Sequence, residues 1–376
     1  MSLHMRRSPV LVTGATGFIG RRVARRLLAA GRPVLALARG QGGHPAADRV
    51  AEAVGVGPEG RLLDVVEGDL AWRGGGLGEA EWRYLRDTVE TVIHCAGAPT
   101  FFPRDIASFR AAHVDGPLDL LHGLRGGRLR RWAHLSTAYV CGRRSGTVFE
   151  HEGDVGQGFH NPYEHVKLES EEALRRAGRR LGIDVRVFRP SIVVGAAPDT
   201  AGGNPSNLFF GFIRLLGALS CRANRFRVRL RIPAAPRARF NIVPVEYVAA
   251  FVVALAEHPD GTAETFHVVA SDPPAQESVL AMIVERLGLR DISLIDPRRQ
   301  KLRDPSPLER KVARLLSGYR EYLEQDVQFD DSNARRLLRR CGLGRSALSR
   351  EAVHRLIDSA LTTPLQIPAP VAALAV

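Results

Sequence analysis

Short apolar runs alternate with stretches of helical periodicity through the first half of the chain, as in a parallel sheet flanked by helices. Strand-like runs fall at 10–13, 33–38, 62–66, 91–95, 131–140 and 185–189. Between the first two, Ile19, Val23, Leu27 and Ala30 share one helical face and Gly31 follows as the stop. Helical patterns return over 106–124 and 162–181. Beyond Gly195 the alternation lapses: 196–239 is rich in Gly, Pro and Arg, and no helix-strand alternation holds there. A strand pattern at 240–245, a helix at 246–257 and a strand at 264–270 read as late members of the same sheet, which makes 196–239 an insertion. Residues 276–362 look mostly helical, and 364–376 form a Pro/Ala/Val tail expected to be mobile.

Composition narrows this little. Of 376 residues, 45% are hydrophobic and 25% charged, which suits a globular protein of one large or two modest domains. The longest apolar run, 247–256, is too short to cross a membrane. Residues 1–5 lack the apolar core and cleavage site of a secretory signal. Four cysteines (Cys95, Cys141, Cys221, Cys341) form no metal or redox spacing, so no metal is expected and a reducing cytoplasm is the expected setting. The net charge of +13 would attract phosphorylated ligands, acidic proteins or anionic membranes, but the arginines are spread along the chain and no nucleic-acid motif accompanies them. A stretch at 225–232 alternates Arg with apolar residues and reads as a half-exposed strand with a basic face, a solvated surface or a contact for phosphates, an acidic carrier or a membrane.

Chemistry enters with the first strand. Val10-Leu-Val-Thr-Gly-Ala-Thr-Gly-Phe-Ile-Gly20 runs from an apolar strand into an amphipathic helix, with Gly14, Gly17 and Gly20 three apart. Such glycines let backbone N–H groups approach a pyrophosphate at a helix N-terminus, and the strand-loop-helix context makes the signal specific. The second strand ends at Arg39, with no acidic residue before Asp48, which favours the 2′-phosphate of NADP over the 2′-hydroxyl of NAD. Asp69, after the third strand, is either a contact for the adenine amine or simply a turn former.

Asn161-Pro-Tyr-Glu-His-Val-Lys167 opens a helix with a good cap and a good first residue, and sets Tyr163 and Lys167 one turn apart on one face. An ammonium beside a phenol would lower the phenol's pKa from about 10 and fit it to donate a proton to a carbonyl oxygen. Lys167 could also hold ribose hydroxyls. Upstream, the strand leading to Ser136 and Thr137 offers a hydroxyl to orient that carbonyl; Thr137 is the first choice and Ser136 the alternative.

These residues together resemble an extended short-chain dehydrogenase/reductase over 9–195. The family's glycine motif matches Gly14, Gly17 and Gly20, its Tyr-x-x-x-Lys matches Tyr163 and Lys167, and its Arg-Pro strand matches Arg189 and Pro190. Within that superfamily the likeness is to the thioester reductase and fatty acyl-CoA reductase branch, the male-sterility type of NAD-binding domain. It rests on Ser136-Thr-Ala-Tyr-Val, Asn161-Pro-Tyr-Glu, 188–195, 241–248 and Phe329-Asp-Asp-Ser-Asn-Ala334. Two departures stand out: His113 where the family often has Asn, and His94-Cys-Ala-Gly97 where an Ala-Ala pair is commoner.

The resemblance implies an α/β fold, a Rossmann-type doubly wound parallel sheet with a smaller, mostly helical C-terminal substrate-binding region. Its parts would be an NADP-binding core (6–195), a substrate-binding insertion (196–239), late sheet elements (240–272), a helical substrate-binding region (273–363) and the tail. NADP(H) would be held by Thr13, Gly14, Thr16, Gly17, Phe18, Ile19, Gly20, Arg39, Asp69, Leu70, Cys95, Ala96, Gly97, Tyr163, Lys167, Pro190, Ser191 and Ile192. Phe101, Phe102, Leu208 and Phe209 would line an acyl channel or merely pack in a core. The implied activity is NADPH-dependent reduction of an acyl thioester, on coenzyme A or an acyl carrier protein, to an aldehyde and potentially an alcohol. A related enzyme of sugar nucleotides, sterols or free ketones and aldehydes, and a non-catalytic NADP-sensing protein, are the alternatives. Peripheral membrane contact and a homodimer are left open.

Overall fold

The computed structural model describes residues 8–56, 62–195, 208–223, 229–260, 264–346 and 349–362. The expected tail, residues 1–5 and 225–228 of the basic stretch lie outside the described residues.

Seven strands form one parallel sheet: β1 (Val10–Thr13), β2 (Val34–Ala38), β3 (Leu63–Glu67), β4 (Thr91–His94), β5 (Arg131–Leu135), β6 (Asp184–Pro190) and β7 (Thr265–Val268). Their order is β7-β6-β5-β4-β1-β2-β3, so the winding reverses between β1 and β4 and opens a crevice at the strand C-termini there. The central strands are buried on both faces, which is why they read as continuous apolar runs rather than as alternation. Helices α1 (Gly20–Ala29) and α2 (Ala46–Val54) follow β1 and β2, and α3 (Glu79–Thr88) leads into β4.

The helix expected over 106–124 is interrupted. It comprises α4 (Ile106–Arg110), a π turn at Ala111–Asp115 and α5 (Gly116–Gly123). Pro117 has no N–H for the carbonyl of His113, and that oxygen is taken instead by the Ser170 hydroxyl at 2.7 Å. Ser170 belongs to α6 (Pro162–Leu181), whose entry is capped by Asn161, with Pro162 in the first turn, and whose exit is Gly182 in the left-handed region.

The fifth strand is shorter than the sequence pattern suggests. It stops at Leu135, and Thr137 then caps a 3-10 turn at Ala138–Cys141, its side chain accepting from the Tyr139 N–H at 3.2 Å.

Past Gly195 the described residues include α7 (Leu208–Ala223), a helix the sequence reading did not find. Its segment is apolar on nearly every side and carries Gly211 and Gly217, so no 3.6-residue contrast marks it. Strand Ile242–Pro244 pairs with Ile192–Val194 outside the main sheet, whereas β7 joins it. Between them runs α8 (Val245–Ala256), packed against α1. Helices α9 (Gln276–Arg286), α10 (Pro307–Leu315), α11 (Arg320–Glu324), α12 (Ser332–Arg340) and α13 (Arg350–Thr362) complete the described chain. A second apolar core, separate from those on the two faces of the sheet, joins α7, α9, α10 and α13 to the strand pair Leu230–Pro233 and Ile292–Ile295. In the described end of the basic stretch, Leu230 and Ile232 are buried in that core, and Arg231 is fixed to Glu309 at 2.7 Å. No described helix is long and apolar enough to cross a membrane.

Candidate active site

The glycine turn is built by close approaches. Gly14 has φ +70°, and a Cβ there would lie 2.7 Å from the Ala96 nitrogen at the end of β4. A Cβ on Gly20 would lie 2.1 Å from the Gly14 carbonyl oxygen, so the first turn of α1 can fold down on the loop only as glycine. Thr13 links the two strands at the switch point: its hydroxyl meets His94 Nδ1 at 2.9 Å and accepts from the Ala96 N–H at 3.2 Å.

A cavity of about 470 Å³ opens beside this turn, within the range of small-molecule sites. One side is Gly17, Phe18 and Ile19 with Cys95, Ala96 and Gly97; the floor is Leu135, Ser136, Thr137, Tyr163 and Lys167; Pro190, Ser191 and Ile192 close another edge. The structure thus brings together most of the expected cofactor and catalytic residues. Thr16 and Leu70 do not line the cavity, and Thr13, Gly14 and Gly20 support its wall. Arg39 and Asp69 stand at the ends of adjacent strands and pair with each other at 3.2 Å. Asp69 also accepts from the Ala71 N–H at 3.0 Å, so the turn-forming role is present.

The hydroxyl candidates separate by their partners. Ser136 donates to Glu171, which is buried against Arg189 at 2.7 Å; its hydroxyl is committed to the interior. Thr137 lines the cavity with only a backbone N–H on its oxygen. Lys167 is buried and donates to the Leu135 carbonyl at 2.6 Å. Burial pushes its ammonium down to about 8, against the opposing pull of Glu171 and Cys95.

Tyr163 corrects an expectation. Its phenol is held above its ordinary pKa, first by burial and then by the adjacent Glu164 carboxylate. The cause is geometric: the ammonium lies against Leu135, while Glu164 follows Tyr163 directly in the chain. His113, in place of the family's Asn, sets Nδ1 2.8 Å from the Phe109 carbonyl and Nε2 3.2 Å from that of Ala98. Burial and the Lys167 charge lower it to about 4, so it is neutral and donates to one of the two.

Three aromatic residues of this cavity were not anticipated: Tyr139, Tyr319 and Tyr322. Phe101 is there as expected, its ring centroid 5.9 Å from Tyr163, 5.3 Å from Tyr319 and 5.6 Å from Tyr322. Phe102 faces outward at 61% exposure, because neighbouring residues of this bend point in different directions. Phe209 is buried in the second core, in a separate apolar cavity of about 60 Å³, and the Leu208 side chain lies outside the described residues. The clustering of Tyr319 and Tyr322 could have been suspected only from their three-residue spacing in a segment otherwise rich in Arg and Leu.

The cavity's donor set fits a nicotinamide dinucleotide. Ser191 carries a buried hydroxyl without a partner at the cavity edge, the glycine turn leaves room for a pyrophosphate, and among the described residues Lys167 is the only charged one lining it. Residues 12–252 match the family model described as "Male sterility protein", of the NAD-binding type. The chain belongs to that family. Its members are oxidoreductases of the extended short-chain dehydrogenase/reductase type, and the seven-stranded α/β sheet agrees with that class. A carboxylic acid reductase of Segniliparus rugosus is 26% identical over 269 residues, covering 65% of this chain but 23% of that protein. The chain therefore spans about a quarter of that relative's length. The terminal R domain of the myxalamid PKS-NRPS pathway superposes with a TM-score of 0.75 at 20% identity, over 95% of this chain and 91% of the other. A thiolation-reductase di-domain from an archaeal non-ribosomal peptide synthetase gives 0.73 at 17% identity, over 94% and 75%.

Proposed function

We propose that this male-sterility-type domain is an NADPH-dependent reductase of carrier-bound or coenzyme A acyl thioesters, releasing an aldehyde and a free thiol. The observation that carries the reading is the convergence of Thr137, Tyr163 and Lys167 on one cavity beside the glycine turn. Reductase and thiolation-reductase proteins among its relatives and fold neighbours support the thioester. In this reading 6–195 hold the cofactor, with 265–268 completing the sheet, and 196–239 and 273–363 supply the substrate side.

Bound NADPH supplies a hydride to the thioester carbon. Thr137 holds the carbonyl oxygen in place through its hydroxyl, and Tyr163 gives that oxygen a proton. A phenol held above its ordinary pKa remains protonated at neutral pH, which suits an acid rather than a base. Lys167, anchored by Leu135, would hold the ribose hydroxyls of the bound cofactor. Collapse of the resulting hemithioacetal breaks the carbon–sulfur bond and yields aldehyde and thiol. Arg39 takes the 2′-phosphate, exchanging Asp69 for it, which makes NADP(H) the preferred cofactor.

The test is to follow NADPH oxidation with a panel of acyl-CoA and phosphopantetheinyl thioesters while titrating free thiol. Thiol release equal to NADPH consumed, abolished in Tyr163→Phe, is the expected result. Oxidation with aldehydes or ketones alone, without thiol, would overturn the thioester assignment and leave a reductase of free carbonyls.

A further inference from the structure

One short segment separates two cavities. Along Leu316–Leu323, Tyr319 and Tyr322 face the catalytic cavity, while Leu316 and Leu323 line the apolar cavity that also contains Phe209, Phe212 and Phe240. The first measures about 470 Å³ and the second about 60 Å³. The chain has six tyrosines, and four of them (Tyr139, Tyr163, Tyr319, Tyr322) line the catalytic cavity, so its substrate end is walled by rings.

The wall is tied on both sides. Toward the sheet, the Tyr322 hydroxyl donates to the buried Glu164 carboxylate and accepts from Asn161 Nδ2 at 2.6 Å. Gln325 donates to the carbonyls of Gly142 and Arg144, each at 2.7 Å, and Arg143 pairs with Glu321 at 2.6 Å. Toward the second core, the Leu323 carbonyl accepts from the Ala235 N–H at 2.8 Å and from Gln276 Nε2 at 3.0 Å. Bonds on both faces make this a fixed partition.

We infer that the Leu316–Leu323 partition is the acyl-length determinant of the site, with Tyr319 as the stop: the enzyme takes short or aryl acyl groups, and the apolar cavity behind is space for a longer chain that the partition withholds. This rests on the thioester reading above. A site of ~300–1,000 Å³ accommodates one drug-sized ligand, and here the nicotinamide end and the acyl group must share one cavity. Phenyl and tyrosyl rings favour a flat aryl partner at ring-stacking distance, whereas an alkyl chain directed at this wall meets the Tyr319 ring. Removing the Tyr319 ring connects the catalytic cavity to walls of Leu, Ile and Phe, which reward apolar length.

The experiment compares kcat/KM for butanoyl, benzoyl and octanoyl thioesters, and for the matching aldehydes, in the wild type, Tyr319→Phe and Tyr319→Ala. Wild type and Tyr319→Phe are expected to favour the butanoyl and benzoyl substrates by tenfold or more. Tyr319→Ala should raise the octanoyl-to-butanoyl ratio by about tenfold, which corresponds to ~1.4 kcal/mol of discrimination. A wild type that already accepts octanoyl equally well, or a folded Tyr319→Ala with an unchanged ratio, overturns the inference. Should Tyr319→Ala not fold, Tyr319→Val is read the same way, since it shortens the wall and leaves a smaller void. The aldehyde series keeps the two readings apart: no thiol from any thioester, but a Tyr319-dependent length profile with aldehydes, sinks the thioester assignment and leaves the partition standing.

Discussion

Lys167 directs its ammonium to the carbonyl of Leu135, 2.6 Å away, and not to the phenol of Tyr163 one helical turn before it. That contact fixes the cation on the last residue of β5, immediately before Ser136 and Thr137, so the lysine, the hydroxyl proposed to orient the carbonyl and the floor of the cavity are set by one strand end. The helix supplies Tyr163 from the other side. Burial and the Glu164 carboxylate keep the phenol protonated, as the proposed acid role requires.

Replacing Tyr163 by Phe should therefore lower kcat by about 10²–10⁴-fold, the range for loss of a positioned acid, while NADPH binding is retained. The split is checked by single-turnover rates against cofactor binding measured by fluorescence. Equal loss in both would mean the residue is structural.

The pH profile carries a second expectation. Lys167 loses its charge near pH 8 rather than near 10.5, because burial disfavours the ammonium. If the charged form is needed, kcat/KM falls as pH rises through about 8. The linkage has the opposite sign for folding: the unfolded lysine holds its proton up to 10.5, so burial costs stability below about 8, and this cost disappears as pH rises between 8 and 10.5. Lys167→Met should remove the alkaline limb of the rate profile and flatten stability over that same window, seen by thermal melts at stepped pH.

Ser136 and Thr137 are adjacent, yet their variants should differ in kind. Thr137→Ala removes a hydroxyl from the cavity and should reduce kcat strongly, with a stability loss confined to the one cap bond it makes to the Tyr139 N–H, ~0.5–2 kcal/mol. Ser136→Ala takes a donor from the buried Glu171 carboxylate, which keeps Arg189, and should cost ~1–3 kcal/mol of stability with a smaller effect on rate. Denaturant unfolding beside steady-state kinetics checks both; the reverse pattern would exchange the two assignments.

How much of this was open to sequence reading follows from where the signals are local. The glycine turn, the capped Tyr163–Lys167 helix and the six N-terminal strands are each written in a few consecutive residues, and they emerged in place. The helix Leu208–Ala223 escaped because it is apolar all round, and the break at Ala111–Asp115 escaped because its cause, Pro117 freeing the His113 carbonyl for Ser170, joins segments 57 residues apart. The division between Ser136 and Thr137 was equally hidden, since only the fold brings Glu171 and Arg189 beneath the strand. Tyr319 and Tyr322 reach the cavity across more than 150 residues from Tyr163, in a stretch whose spacing alone says nothing of a site. Local chemistry was legible; partners brought by topology were not.

Arg39 offers the clearest test of cofactor choice. Its guanidinium is 59% exposed and pairs with Asp69 at 3.2 Å, an exposed contact worth little by itself and easily exchanged for a phosphate. A guanidinium on a 2′-phosphate forms charge-assisted hydrogen bonds, so Arg39→Ala should weaken NADPH binding by about 10- to 100-fold. NADH, which lacks that phosphate, should lose little, and the NADPH-to-NADH preference should fall by the same factor. Higher salt should reduce the wild-type preference and leave the variant's nearly unchanged, because only the former depends on an exposed charge pair. Titration of both cofactors into the wild type and the variant at two ionic strengths checks this. Equal weakening of NADPH and NADH would make Arg39 a support for the loop and would overturn the preference for NADP(H) assigned to it.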